Sequence, residues 1–136
     1  MLDRIKLADE LHKKGYNCAQ AVVCNYCDLF GIDNKTAFIM SEGFGAGMGS
    51  MKNTCGAISG LVMLLGLLNS SGTEEKLTKA ETYKIVKELT TKFKEKNGSC
   101  ICEEIKGLTG KPMLRTCSGC IEDACKIFEE YYSNIK

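Results

Sequence analysis

The sequence predicts an all-α fold, a compact bundle of five to six helices around a central apolar helix that starts near Cys55. Three observations lead there. The 136 residues hold a single proline, Pro112, so little interrupts a helical backbone. No sustained alternating run of β-branched residues marks a strand. Apolar residues recur instead at helical spacing, punctuated by glycine and asparagine stops.

The first helix covers Asp3 to Lys14: Ile5, Leu7, Ala8 and Leu11 form its apolar stripe and Gly15 stops it. The second starts near Asn17, a good N-cap, and carries Cys18, Val22, Tyr26 and Phe30 as far as Gly31. Asp33 or Asn34 caps a short third helix through Met40. A glycine loop, Gly43-Phe44-Gly45-Ala46-Gly47-Met48-Gly49, then interrupts regular structure. The fourth helix begins near Cys55, with Asn53 or Thr54 as candidate cap, and ends around Asn69-Ser70-Ser71-Gly72. It is apolar all round, so the other helices should surround it. Thr78 to Lys96 forms the longest amphipathic helix, with Tyr83, Val86, Leu89, Thr90 and Phe93 on one face and Asn97-Gly98 at its end. A short segment from Ile101 to Lys106 and a last helix from about Ser118 to Tyr132 complete the chain. With no internal repeat and no linker, residues 1–136 read as one domain.

Eighteen basic and 17 acidic side chains leave a formal charge of +1, too weak a field to gather nucleic acid or an anionic membrane. Neither is an expected partner. The longest apolar stretch, Ala57 to Leu68, falls well short of the ~20 residues that a membrane span needs. Met1 to Glu10 is charged and amphipathic and lacks the apolar core of a secretory signal, so the expected location is cytoplasmic. Thiols stay reduced there, and nine cysteines, an odd number, then point to metal or redox chemistry rather than to structural bridges.

Position sorts these cysteines. Cys55 follows the glycine loop at the start of the apolar helix, where unpaired N–H groups and the positive dipole end favour a thiolate. Cys117, of Cys117-Ser118-Gly119-Cys120, has the same advantage. Cys24-Asn25-Tyr26-Cys27 lies inside a predicted helix. Its thiols read chiefly as small buried hydrophobes, although two CxxC pairs would suit tetrahedral zinc if the fold joined them. Cys125, in line with Ile121 and Phe128, reads as core. His12 is the sole histidine and reads as a helix-end residue; without HExxH or a nucleophile elbow, a Cys-His or Ser-His hydrolase is not expected. The glycine loop superficially suits a phosphate, but no strand precedes it and no P-loop or dinucleotide fingerprint accompanies it, so a flavin or nucleotide site is the minor reading. Gly45, Gly47, Gly49 and Gly56 are instead candidates for letting backbone pass closely over Cys55 or a bound group, with their amides as an anion-stabilising nest.

Four segments carry a family resemblance: Gly15-Tyr16-Asn17-Cys18-Ala19-Gln20-Ala21, the glycine loop running into Cys55-Gly56-Ala57-Ile58-Ser59-Gly60, Gly98-Ser99-Cys100-Ile101-Cys102, and Cys117 with Ala124. The chain resembles the redox-active proteins named for the C-GCAxxG-C-C cysteine pattern, over nearly its whole length. Thr54 precedes Cys55, so the match is to the CGAxxG form. The resemblance implies that the shared cysteines are Cys18, Cys55, Cys102 and Cys117, with Cys100 close enough to replace Cys102. It is also similar to the cysteine-bearing part of split-Soret cytochromes, which carry an iron–sulfur centre. No CxxCH motif for covalent haem occurs here. Two functions follow as expectations. One is a redox protein, with oxidoreductase activity as an open question, in which Cys55 exchanges with Cys18, Cys102 or Cys117 and an unidentified redox partner. The other is a protein binding zinc or an iron–sulfur cluster through those four thiolates. A helical interaction module with purely structural cysteines is the third alternative. Leu77, Tyr83, Val86, Tyr131 and Tyr132 would suit a homodimer interface.

Overall fold

A computed structural model describes residues 3–135 of the chain. The fold is all-α, and four of its helices begin where a side chain accepts from a free amide of the first turn. Asp3 accepts from the Lys6 N–H at 3.1 Å and starts α1 (Arg4–Lys13). Asn17 and Gln20 form a reciprocal capping box at α2 (Cys18–Tyr26). The second helix then tightens into a 3₁₀ turn over Cys27–Phe30 and stops at Gly31. Asp33 caps α3 (Asn34–Ser41). A further 3₁₀ turn, Glu42–Phe44, leads into the one-turn α4 (Gly45–Met48). That turn is left-handed: φ is 51° at Ala46, 56° at Gly47 and 60° at Met48. The remaining elements are α5 (Gly56–Asn69), α6 (Lys79–Asn97), the one-turn α7 (Cys102–Ile105) and α8 (Cys117–Asn134). Thr116 caps α8 by accepting from the Gly119 N–H at 2.9 Å.

The central helix differs from expectation in two respects. Its N-cap is Cys55, not Asn53 or Thr54, and no side chain caps it. Thr54 is used instead in an isolated antiparallel bridge to Ile101, in which the Cys55 N–H donates to the Cys100 carbonyl at 2.8 Å. The other helices also cover α5 unevenly. Gly56 to Leu61, Leu64 and Leu65 are buried, whereas Val62, Met63 and Leu68 are half-buried and Leu67 is exposed.

Around α5 the core is built from Val22 and Tyr26 of α2, Leu89 and Phe93 of α6, and Ile121, Ala124 and Phe128 of α8. Tyr26 lies against Phe128 with ring centroids 4.7 Å apart, and Tyr132 stacks on Phe128 at 5.6 Å. Ile85 and Val86 of α6 also pack against this core, whereas Tyr83, and Leu77 just before the helix, project into solvent at 66% and 71% exposure. The tail is engaged rather than free: the Tyr131 hydroxyl and Asn69 Oδ1 are 3.2 Å apart. A second, smaller cluster holds Val23, Cys24, Cys27 and Ala37 on the opposite side of α2. Among the described residues no helix is long and apolar enough to cross a membrane.

Glycine sets the distance between α2 and α5. A Cβ on Gly60 would stand 2.9 Å from Cβ of Val22 and 3.0 Å from the Ala19 carbonyl, whereas a Cβ on Gly66 would meet nothing within 4 Å. Gly60→Ala is therefore expected to destabilise the fold by about 1–3 kcal/mol through overpacking. Gly66→Ala, free of that clash, should stabilise it by about 0.5–1 kcal/mol through helix propensity. Urea denaturation of both variants measures the contrast.

Candidate functional site, a cavity lined by cysteines

Four helix starts face one another across a small space, and each brings a thiol. Cys18 is the first residue of α2, Cys55 the N-cap of α5, Cys102 the first residue of α7 and Cys117 the first residue of α8; Cys120 follows one turn into α8. These five cysteines, together with Lys106, Arg115, Ala46 and Gly56, line a cavity of about 20 Å³. All four cysteines expected from the sequence are thus brought together. Cys100 is not among them; its sulfur lies 3.8 Å from the Thr90 carbonyl.

Backbone pairing holds the segments in place. Beside the Thr54–Ile101 bridge, the Cys102 N–H donates to the Asn53 carbonyl at 2.9 Å and the Glu103 N–H to Met51 at 2.7 Å. The glycines then allow contact. A Cβ on Gly47 would lie 2.6 Å from Cβ of Cys102, and one on Gly56 would lie 3.1 Å from Cβ of Cys18 and 3.0 Å from the Phe44 carbonyl. Gly45 presses on the Asn17 side chain, and Gly49 borders open space. Three of the four singled-out glycines are therefore filled against by the chain itself, and only Gly56 reaches the cavity. The amides acting on Cys55 likewise come from Ala57 and Ile58 of α5 rather than from the glycine loop.

The thiols meet in two hydrogen-bonded pairs, Cys18 with Cys117 and Cys55 with Cys120. In the first, the Cys18 thiol donates to Cys117 and lowers its pKa; burial opposes this, and the Lys106 ammonium and His12 add to the lowering. In the second, the Cys120 thiol lowers Cys55, burial opposes it, and the Ala57 and Ile58 amides assist. Both donors are held protonated, with their pKa pushed up by those same pairings and then by burial. Burial likewise raises Cys102. Exposure separates the pairs: Cys18 and Cys117 are half-buried, whereas Cys55 and Cys120 are 5% and 2% exposed.

Two cations border the site. Burial works against the charge on Lys106, but the adjacent Cys117, Cys102 and Cys18 raise its pKa overall and keep it an ammonium. Arg115 is pinned by Asp123, which is 1% exposed: Nε and Nη2 donate to its oxygens at 3.1 and 3.3 Å. The same carboxylate accepts from Lys96 Nζ at 2.5 Å and from Asn97 Nδ2 at 3.1 Å. Sequence reasoning missed Cys120, Lys106 and Arg115, and treated His12 only as a helix end. The Cys117-x-x-Cys120 spacing was the available signal for Cys120. Nothing in the spacing of the two cations announced them.

The other cysteines lie elsewhere. Cys24 and Cys27 belong to the second cluster, and Cys125, wholly buried near Asn25, has its pKa pushed up to about 12 by burial. Among the described residues no group of three or more Cys, His, Asp or Glu side chains is placed to hold a metal ion. The cavity has room for about one water-sized body, which an iron–sulfur cluster exceeds. As folded, the thiols of the cavity other than Cys102 stand in pairs.

The sequence pattern described as "Putative redox-active protein (C_GCAxxG_C_C)" matches residues 16–131. The chain belongs to that family. No curated protein and no solved structure matches it. The matched C_GCAxxG_C_C region contains every cavity cysteine together with Lys106 and Arg115.

Two predictions follow from the electrostatics. Cys117, lowered to about 5, should be the fastest thiol to alkylate at neutral pH, its rate falling only as pH drops through that value. Iodoacetamide labelling read by peptide mass spectrometry tests this, and Cys18→Ala should move the midpoint upward. Asp123 has its pKa lowered, since Lys96, Arg115 and Asn97 outweigh the opposing effect of burial, the largest single influence. Its contribution to stability is therefore complete above the unfolded-state value of about 3.9 and lost as pH falls through the lower folded-state value. Asp123→Asn should cost about 1–3 kcal/mol at neutral pH and flatten the acid limb of a urea-stability profile.

Proposed function

We propose that this chain is a thiol–disulfide redox protein with two coupled dithiols, an outer Cys18–Cys117 pair and an inner Cys55–Cys120 pair. The observation that carries the reading is the pairing itself: two neighbouring thiol–thiol contacts in one cavity, each joining a lowered thiol to a raised one. Such a contact presents a nucleophile and a proton-bearing partner, the arrangement that disulfide formation and exchange require. Cys55 keeps its expected role of exchanging thiolate toward the inner pair, while Cys117, half-buried and next to a lysine, is the thiol that meets an outside reagent.

Exchange runs inward without a net change in electrons. The Cys55 thiolate attacks the Cys18–Cys117 disulfide, forming a mixed disulfide and releasing one outer thiolate; Cys120, once deprotonated, displaces the second. The inner pair ends oxidised and the outer pair reduced. A reducing compartment such as the cytoplasm would return both to thiols. Cys102, the fifth thiol, has no pairing partner in this scheme, and Gly47 packs against it. Ligation of zinc or an iron–sulfur cluster by Cys18, Cys55, Cys102 and Cys117 is the competing reading, and the pairwise arrangement speaks against it.

Mild oxidation of the reduced protein, followed by thiol counting and non-reducing peptide mapping, should remove thiols in twos and give Cys18–Cys117 and Cys55–Cys120 linkages. Cys117→Ser should abolish the outer linkage and slow formation of the inner one. Retention of all thiols, or stoichiometric zinc or iron that protects them after anaerobic purification, would overturn the proposal.

A further inference from the structure

Size and charge at the outer pair point to its oxidant, on the premise that Cys18 and Cys117 form the redox pair proposed above. A cavity of about 20 Å³ admits a molecule of one or two water-sized atoms and excludes a flavin ring or a peptide disulfide from its interior. Its wall carries both Lys106 and Arg115 beside the half-buried Cys117. Lys106 donates a hydrogen bond to that sulfur and Cys18 donates another. A nucleophilic sulfur, a cationic proton donor and a second thiol in contact are the three groups that reduction of an O–O bond requires.

We propose that the outer pair reduces hydrogen peroxide or a similarly small hydroperoxide, with Cys117 as nucleophile, Lys106 as proton donor to the leaving oxygen and Cys18 as resolving thiol. In the first step the Cys117 sulfur bonds to one peroxide oxygen and the O–O bond breaks. The departing hydroxide takes a proton from the Lys106 ammonium and leaves as water, giving Cys117 sulfenic acid. In the second step the Cys18 sulfur displaces that hydroxyl, which leaves as a second water with the Cys18 proton. Two sulfurs are oxidised by two electrons in all, one peroxide is reduced to two waters, and Lys106 regains its proton from solvent. Arg115 also lines the cavity. Asp123 fixes its guanidinium through Nε and Nη2, so Arg115 is a positioning group rather than an acid.

The test is stopped-flow oxidation of the reduced full-length protein by hydrogen peroxide at neutral pH, run beside dithiodipyridine and glutathione disulfide. One equivalent of peroxide should remove two thiols and yield the Cys18–Cys117 linkage, at a rate at least about 100-fold above that of free cysteine. Cys18→Ser should halt at a Cys117 sulfenic acid that dimedone traps. Lys106→Met should slow peroxide by about 100-fold while slowing dithiodipyridine far less, because that reagent's leaving group needs no proton from lysine. Lys106→Arg should recover part of the loss. Equal slowing of both reagents in Lys106→Met would remove the proton-donor role. Peroxide no faster than with free cysteine, while either disulfide reagent still links Cys18 to Cys117, would overturn the peroxide inference and leave the dithiol reading standing. If no reagent forms that linkage, both fail.

Discussion

The close approach of α2 and α5 is the constraint on which the rest depends. Gly56 and Gly60 stand one turn apart on α5, and both face α2, one against Cys18 and the Ala19 amide, the other against Val22 and the Ala19 carbonyl. A Cβ at either position would stand 2.9–3.2 Å from atoms of α2 or of the Phe44 carbonyl, so the helices would have to give way. That separation would carry Cys55 away from Cys18 and open the space behind α8. The geometry of the thiols thus rests on two absent side chains inside the most apolar helix of the molecule.

Charge is arranged around this packing with the same economy. Asp123 sits on the face of α8 that turns toward α6, and its buried carboxylate gathers Lys96, Asn97 and Arg115. The bond to Arg115 reaches back across the first turn of α8, so the guanidinium lies over Gly119, whose missing Cβ leaves room for it. Lys106 arrives from the other side, just beyond α7. A pair of cations therefore flanks the start of α8, already the positive end of a helix, and of the two it is Lys106 that favours negative charge on Cys117.

Much of this was legible in the sequence, and the part that was not has a physical reason. Asp3, Asn17 and Asp33 cap through their own side chains within a few residues, so the starts of α1, α2 and α3 could be read locally. The apolar run after Cys55 announced a buried helix for the same reason. Its cap could not be read, because the partner of the Cys55 amide is the Cys100 carbonyl, supplied by a segment distant in sequence. Cys55 and Cys117 were singled out by their place at helix starts and Cys18 and Cys102 by family resemblance, and the fold does gather all four. Cys120 had the Cys117-x-x-Cys120 spacing as its local signal, whereas Lys106 and Arg115 join the cavity only through tertiary packing, which leaves no local signature. Tyr83 is the opposite case: helical periodicity aligned it with Val86, Leu89 and Phe93, but those three reach the core while Tyr83, a turn earlier, stays exposed.

The second cluster on the far side of α2 bears on the number of covalent isomers that the protein has to avoid. Cys24 and Cys27 pack there with Val23 and Ala37, Cys125 is enclosed in the main core, and Cys100 points its sulfur at α6. A chain with this many thiols would scramble readily if all shared one space, since even four cysteines allow three pairings. Here α2 acts as a partition, with the cavity thiols at its start and Cys24 and Cys27 at its other end and face. Repeated oxidation and reduction could then proceed beside spectator cysteines without drawing them into mispaired, kinetically trapped forms.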